Sequence, residues 1–308
     1  MASTAASVTE ARRGDHWNPV REEAERIASA LPPLLVAAEQ MASTIVLGVH
    51  GRRKAGMGES FWQFRRYADV DPASAIDWRQ SAKSQHVYVR EREWEAAESV
   101  WFWRDGSEGM RFSSAKEQTT KLDRATLLSL AVASLLVRGG ERIALLGMDA
   151  RPSSGRAALR RLAHRLADLP PTQDTVPPEA PMGRQGSLVW ISDFLDPLEV
   201  IEARMRGFAN AGVRGFLTQI IDPAEEDFPY SGRVRFETAR LPDTQMFGRT
   251  QNVRGAYRSV YAAHAEAVGQ AARRLGWSFL RHRTDRSPQT ALIALFAAIG
   301  GARGQRGF

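Results

Sequence analysis

Strand-like and helix-like segments alternate between residues 98 and 299. They predict an α/β fold, a mostly parallel sheet with helices on both faces, preceded by a small β-rich subdomain. Two kinds of segment carry this reading. The runs 99–103 (Ser-Val-Trp-Phe-Trp) and 188–191 (Leu-Val-Trp-Ile) are short, continuously apolar and closed by polar turns, as strands covered on both faces are. The stretch 122–137 places Leu127, Leu128, Leu130, Ala131, Leu135 and Leu136 around most of a helical circumference, which suits a helix held between layers.

Taken in order, residues 1–20 are small, polar and without period, and predict a disordered lead-in. From 21 to 41, Ala24, Ile27 and Leu31 stand at helical spacing until Pro32-Pro33 interrupts them. Residues 45–50 form a short strand-like run. Next comes the basic, glycine-rich stretch Gly51-Arg52-Arg53-Lys54-Ala55-Gly56-Met57-Gly58. It fits neither phosphate-loop spacing, so a flexible surface loop is the favoured reading. Phe61-Trp62-Gln63-Phe64-Arg65-Arg66-Tyr67, Ile76-Asp77-Trp78-Arg79 and the alternating Val87-Tyr88-Val89-Arg90 follow. Such interleaving can stack bases, but the alternation favours a small β subdomain with aromatics packed on arginine stems. This part spans 21–94.

The main block, 95–299, opens with a strand at 98–104 and the helix 122–137, stopped by Gly139-Gly140. A second strand at 142–148 precedes a helix capped by Ser153 or Ser154 and running to 167. One face of that helix carries Leu159, Leu162 and Leu166. The other carries Arg156, Arg160, Arg161, His164 and Arg165, a solvated basic face by default. The proline-rich stretch 170–186 reads as a linker. After it come strand 188–191, a helix over 197–211 with Pro197 in its first turn, strand 213–221 and an acidic loop at 222–227. A β excursion within 228–250, a long helix 252–275, a strand 277–281 and a helix 289–299 complete the block. The Gly- and Arg-rich residues 300–308 are expected to form a flexible tail.

Composition removes several function classes. With no cysteine, thiol catalysis, disulfides and cysteine-held zinc or iron–sulfur clusters are excluded. No apolar run approaches the ~20 residues of a membrane span, and Met1 to Ser7 lack a signal-peptide pattern, so a cytoplasmic location is expected. The net charge of +7 admits an acidic partner or nucleic acid.

The chemistry concentrates at two strand ends. Asp105-Gly106-Ser107-Glu108-Gly109 follows the first apolar strand, and Ile191-Ser192-Asp193 closes another. In a parallel sheet these ends open onto one crevice. Two carboxylates and a hydroxyl there suit a hard-oxygen cation such as Mg²⁺ or Mn²⁺, while the alternative makes both aspartates helix caps. A nucleophile elbow would need glycine where Asp105 stands. The six histidines show no metal-type spacing. Metal-assisted hydrolysis through Asp105 and Asp193 is the better enzyme candidate, but no base or nucleotide loop accompanies it. Nucleic-acid binding through the arginine surplus ranks last, since no recognition motif is present.

One further pattern is specific. Gly56-Met57-Gly58-Glu59-Ser60-Phe61, Phe64-Arg65-Arg66-Tyr67, Asp71 and Ile76-Asp77-Trp78-Arg79-Gln80-Ser81-Ala82-Lys83 together resemble the signature of the DUF58 family. The resemblance covers about residues 45–220. It implies a von Willebrand factor A-like domain downstream, opening at Asp105-Gly106-Ser107-Glu108-Gly109-Met110. It further implies a metal-ion-dependent adhesion site at Asp105, Ser107 and Asp193, with Ser153 or Ser154 standing in for a second-loop threonine. The sequence departs from the pattern at Val70, Pro72, Ser74 and Gly109, the last replacing the motif's second serine. The resemblance also implies work beside a MoxR-type AAA+ ATPase and a protein client. The expectation is therefore a non-catalytic protein-binding module. Its partner-binding surface is expected to include Arg52, Arg53, Arg65, Arg66, Asp77, Trp78 and Arg79.

Overall fold

A computed structural model of the chain describes residues 37–42, 61–68, 76–92, 97–114, 119–182, 186–237, 244–247 and 249–304. The lead-in 1–20, the run 45–50, the basic loop 51–58 with Arg52 and Arg53, and the last four residues lie outside the described ones.

Helix α1 is described over 37–42. Strands β1 (Phe61–Arg66) and β2 (Tyr88–Arg92) pair antiparallel, with the single-turn helix α2 (Trp78–Ser81) between them in sequence. Strand β3 (Ser99–Arg104) then opens the α/β block. Helix α3 (Lys121–Arg138), strand β4 (Arg142–Leu145), helix α4 (Gly155–Asp168), strand β5 (Ser187–Ser192) and helix α5 (Leu198–Asn210) follow. Strand β6 (Arg214–Ile221), helix α6 (Pro223–Asp227), and strands β7 (Val234–Glu237) and β8 (Thr244–Phe247) come next. Helix α7 (Arg254–Arg274), strand β9 (Ser278–Arg283) and helix α8 (Pro288–Gly304) end the described chain.

Five strands form one sheet in the order β4-β3-β5-β6-β9, every neighbouring pair parallel. Side chains alternate between two cores. Val100, Phe102, Val189, Ile191, Phe216 and Ile220 face the layer of α3, α4 and α8. Trp101, Trp103, Leu188, Trp190 and Leu217 face α5 and α7. Both faces are buried, so these strands read as continuous apolar runs instead of alternating ones. Helix α3 is apolar nearly all round because it packs on the sheet and against both α4 and α8.

Several boundaries and roles differ from the sequence reading. Ala38, Met41 and Ala42 of α1 are buried in the first core cluster, so this helix packs with the α/β block and not with the β1–β2 hairpin alone. The described residues 170–182 of the proline-rich stretch form no helix or strand, yet Val176, Ala180 and Met182 pack on the second core. The acidic stretch 222–227 is helix α6, with Asp222 capping it, proline in its first turn and Glu225 closing a reciprocal capping box. Glycines 300, 301 and 304 continue α8 where a flexible tail was expected.

Gly215 in β6 shows how closely the layers meet. A methyl group there would lie 1.8 Å from the Trp277 ring. Gly215→Ala is therefore expected to cost ~3 kcal/mol, the upper end for overpacking a core. Its urea midpoint checks this, and a loss under about 1 kcal/mol would mean the indole moves aside freely.

Candidate functional site

Three adjacent strands end in a carboxylate: β3 runs into Asp105, β5 into Asp193 and β6 into Asp222. The first two flank the point where the strand order reverses, between the first and third strands of the sheet, where open α/β folds form their crevice. Asp105 and Asp222 are fully buried and Asp193 nearly so.

The Asp105 amide extends the ladder by donating to Ile191 O at 2.9 Å. Its carboxylate accepts from the Ser107 amide at 2.7 Å and from the Ser192 hydroxyl at 2.9 Å. Burial and the neighbouring Asp193 push this carboxyl up to about 6, against the lowering effect of Ser107 and Ser192. The Ser107 Oγ is itself buried and makes no well-formed hydrogen bond among the described residues, although it lies close enough to Asp105 to favour its charged form.

Asp193 is aimed by a strained turn. Phe194, directly after it, has φ of 52°, a left-handed conformation that a bulky residue adopts only when held. It is held by ring contacts to Trp190 at 5.1 Å and Phe279 at 5.9 Å, and by His264, whose Nε2 lies 2.8 Å from its carbonyl. The Leu195 amide then donates to Asp193 Oδ1 at 3.2 Å, and Gln219 Nε2 to the Asp193 carbonyl at 2.9 Å.

Lys121, at the first position of α3, is the cation of the crevice. It is 1% exposed, and its Nζ lies 3.1 Å from Asp193 Oδ2 and also pairs with Glu225 Oε1. Burial alone would lower the Lys121 pKa, but the Asp193 and Glu225 carboxylates outweigh it and raise it above the usual lysine value. Glu225 reaches Lys121 because the capping box fixes α6 at the end of β6. Asp222 Oδ2 also accepts from the Ser114 amide at 2.9 Å, tying the chain beyond the Asp105 loop to β6.

The sequence-selected residues separate into two sets. Asp105, Ser107 and Asp193 converge. Ser153 and Ser154 do not join them: Ser153 bridges Ile143 in antiparallel fashion, and Ile143 pairs with Val100. That register leaves Ser153 roughly 16 Å back along the sheet from Asp105. Its hydroxyl accepts from Arg161 at 2.6 Å, and Ser154 is the N-cap residue of α4. Of the partner-surface residues, Arg65 and Arg66 belong to the separate β1–β2 sheet and Asp77, Trp78 and Arg79 to the α2 segment between its strands, while Arg52 and Arg53 lie outside the described residues. Arg65 lies in β1, Arg66 is exposed at its end, and Asp77 caps α2 by accepting from the Gln80 amide at 3.0 Å. Trp78 is 68% exposed and Arg79 is exposed beside it.

Lys121, Ser192, Asp222, Glu225 and Gln219 were not singled out from sequence. Asp222 follows an apolar strand as Asp105 and Asp193 do, so the same strand-end rule would have found it. Lys121 had no comparable signal, since it is one of three charged residues, with Asp123 and Arg124, in the first turn of α3.

The donors fit a hard cation in part. Asp105 retains free lone pairs and the Ser107 hydroxyl is unsatisfied, whereas Lys121 already neutralises Asp193. Among the described residues no group of three or more His, Asp or Glu side chains converges on a metal position. An ion here would keep several waters, as Mg²⁺ does. No helix among the described residues is long and apolar enough to cross a membrane.

The model of the family described as "Protein of unknown function DUF58" matches residues 63–267. The chain is 26% identical over 301 residues to "Uncharacterized protein Rv1480" of Mycobacterium tuberculosis and to "Uncharacterized protein Mb1516" of Mycobacterium bovis. In both cases 93% of this chain and 92% of the relative are covered. Among solved structures, an aerotolerance-related membrane protein from Bacteroides fragilis matches with a TM-score of 0.40 at 13% identity, over 67% of this chain and 100% of that one. A conserved hypothetical protein BatB from Bacteroides thetaiotaomicron matches with a TM-score of 0.33 at 11% identity, over 67% and 98% respectively.

Proposed function

We propose, from the premise that the chain belongs to the DUF58 family, that it is a non-catalytic protein-binding module working through the Asp105 crevice of a von Willebrand factor A-like domain. The observation that carries this reading is the buried Asp105 carboxylate beside Asp193, next to the unsatisfied Ser107 hydroxyl. Together these set a buried carboxylate that has no ion pair of its own beside a buried hydroxyl oxygen.

Asp105 and Ser107 are the residues that would hold Mg²⁺ or Mn²⁺, with Asp193, already paired with Lys121, beside them. When bound, the ion supplies a Lewis-acidic position for a partner's carboxylate. The chain's own residues keep the crevice ordered: Ser192 orients Asp105, and the Phe194 turn and Gln219 fix Asp193. The partner we propose, on the family resemblance, is a MoxR-type AAA+ ATPase, with a separate protein as client. The exposed Trp78 and Arg79 offer a second contact surface, since exposed aromatics and arginines anchor interfaces.

Binding to a MoxR-type ATPase at constant Mg²⁺ tests this. Asp105→Ala is expected to weaken binding at least about tenfold, or ~1.4 kcal/mol. Unchanged affinity in that variant, with loss in Trp78→Ala, would move the working surface to the β1–β2 hairpin. A second reading is metal-assisted hydrolysis, with Asp105 and Asp193 as the carboxylates that would hold the ion. It predicts turnover of a phosphoester or ester that requires Mg²⁺ or Mn²⁺ and disappears in Asp105→Asn.

A further inference from the structure

On the other side of the Asp105 loop lies a cavity of about 150 Å³ between the ends of β3 and β4. Its walls include Trp103, Leu145, Leu146, Leu169 and Pro170, and Arg104 lines it too. Arg104 is 6% exposed, and its Nη1 donates to the Thr126 hydroxyl at 2.8 Å. Its Nε is buried with no partner, and no carboxylate among the described residues pairs with it directly. A guanidinium has five donors, and burying it without an anion is costly. Burial accordingly pushes its pKa down to about 10, with Asp105 raising it through space, Arg111 lowering it and Asp123 raising it more weakly. Asp105 acts on it only through space, with no hydrogen bond or ion pair joining the two side chains.

Gly106 keeps the arginine reachable. A side chain there would begin 3.3 Å from Thr172 Cγ2 and 3.6 Å from Arg104 Nη2, closing the space between them. The rim is polar, with Thr172 and the exposed Asp174. An apolar space of ~150 Å³ accepts a molecule the size of benzene. An unpaired buried cation at its wall adds a demand for one negative charge.

We propose that this cavity binds a carboxylate bearing a compact apolar group, with Arg104 receiving the carboxylate and the Trp103–Leu145–Leu169 wall receiving the apolar part. Two sources share this chemistry: a free small acid, and the C-terminal residue of a protein with an apolar last side chain. The site does not depend on a metal in the Asp105 crevice.

Calorimetry and Trp103-sensitive fluorescence on the full chain, with benzoate, N-acetyl-L-leucine and the neutral N-acetyl-L-leucinamide as probes, test the proposal in metal-free buffer. At least one acid is expected to bind with a Kd of about 1 mM or tighter. The amide is expected to bind at least about tenfold more weakly. Binding of N-acetyl-L-leucine alone identifies a protein C-terminus as the source; binding of benzoate alone identifies a free acid. Arg104→Gln is expected to lose the acid while remaining folded. Thr172→Trp, which fills the mouth and leaves Arg104 in place, is expected to lose it as well. Equal binding of acid and amide, undiminished binding in either variant, or no binding of either acid at about ten times that concentration would overturn the proposal.

Discussion

Replacing Lys121 by methionine is expected to cost about 3–5 kcal/mol, the range for stripping one partner from a buried ion pair. The side chain is 1% exposed and pairs with both Asp193 and Glu225. Methionine keeps much of the stem but leaves two buried carboxylates without their cation. For a chain of this size the loss corresponds to a melting temperature lower by roughly 10 °C. Lys121→Met combined with Asp193→Asn and Glu225→Gln should recover most of it, because amides need no counter-charge. Urea denaturation of the single and triple variants decides the matter. If the single variant loses under about 1 kcal/mol, Lys121 is not the crevice's internal cation. The pH dependence has a definite sign. The folded pKa of Lys121 is raised, so its contribution is fully present below about 10.5 and fades only as pH climbs through the higher folded value.

Asp105→Asn should do the opposite and stabilise the metal-free protein at neutral pH. The folded Asp105 titrates near 6 against 3.8 for an unperturbed aspartate, so between these pH values the native state holds more protons than the unfolded chain. Stability therefore falls as pH rises from about 4 to 6, by up to ~3 kcal/mol from this group. Asparagine can still accept from the Ser107 amide and can donate to the Ser192 hydroxyl, so the loop retains its shape. Denaturation at pH 4 and pH 7.5, with chelator present, gives the test. The gain of the variant over the wild type should be near zero at the lower pH and about 1–3 kcal/mol at the higher. Equal gains at both, or a loss at pH 7.5, would show that the carboxylate is well solvated or already compensated.

These two variants also mark how far the sequence could be read. The central strands β3 and β5 were legible because both their faces are covered, which makes them apolar runs closed by polar turns, whereas the edge strand β9 is half-exposed and carries Arg281 and Arg283. Asp105 and Asp193 were legible as the residues ending two such runs. Asp222 obeyed the same rule but sat in a stretch dense with carboxylates, which reads as a solvated loop until the capping box makes it a helix. Lys121 could not be recognised by pattern, since a lysine in a helix's first turn is ordinarily solvent-facing, and only the packing of α3 under β5 and α6 buries it. Ser153 and Ser154 were chosen for their position after the second strand. The register with Ile143, set by pairing across the sheet edge, places them far from the crevice. Arg104 read as the polar end of a strand, and its burial without an ion pair is a property of the tertiary structure alone.

The most direct test of the crevice as a cation-dependent binding site is a calorimetric titration with Mg²⁺ and with Mn²⁺ on the wild type, Asp105→Ala and Ser107→Ala. The expected result is one divalent ion bound by the wild type, none by Asp105→Ala, and weaker binding by Ser107→Ala. No binding by the wild type, or equal binding by Asp105→Ala, would contradict it.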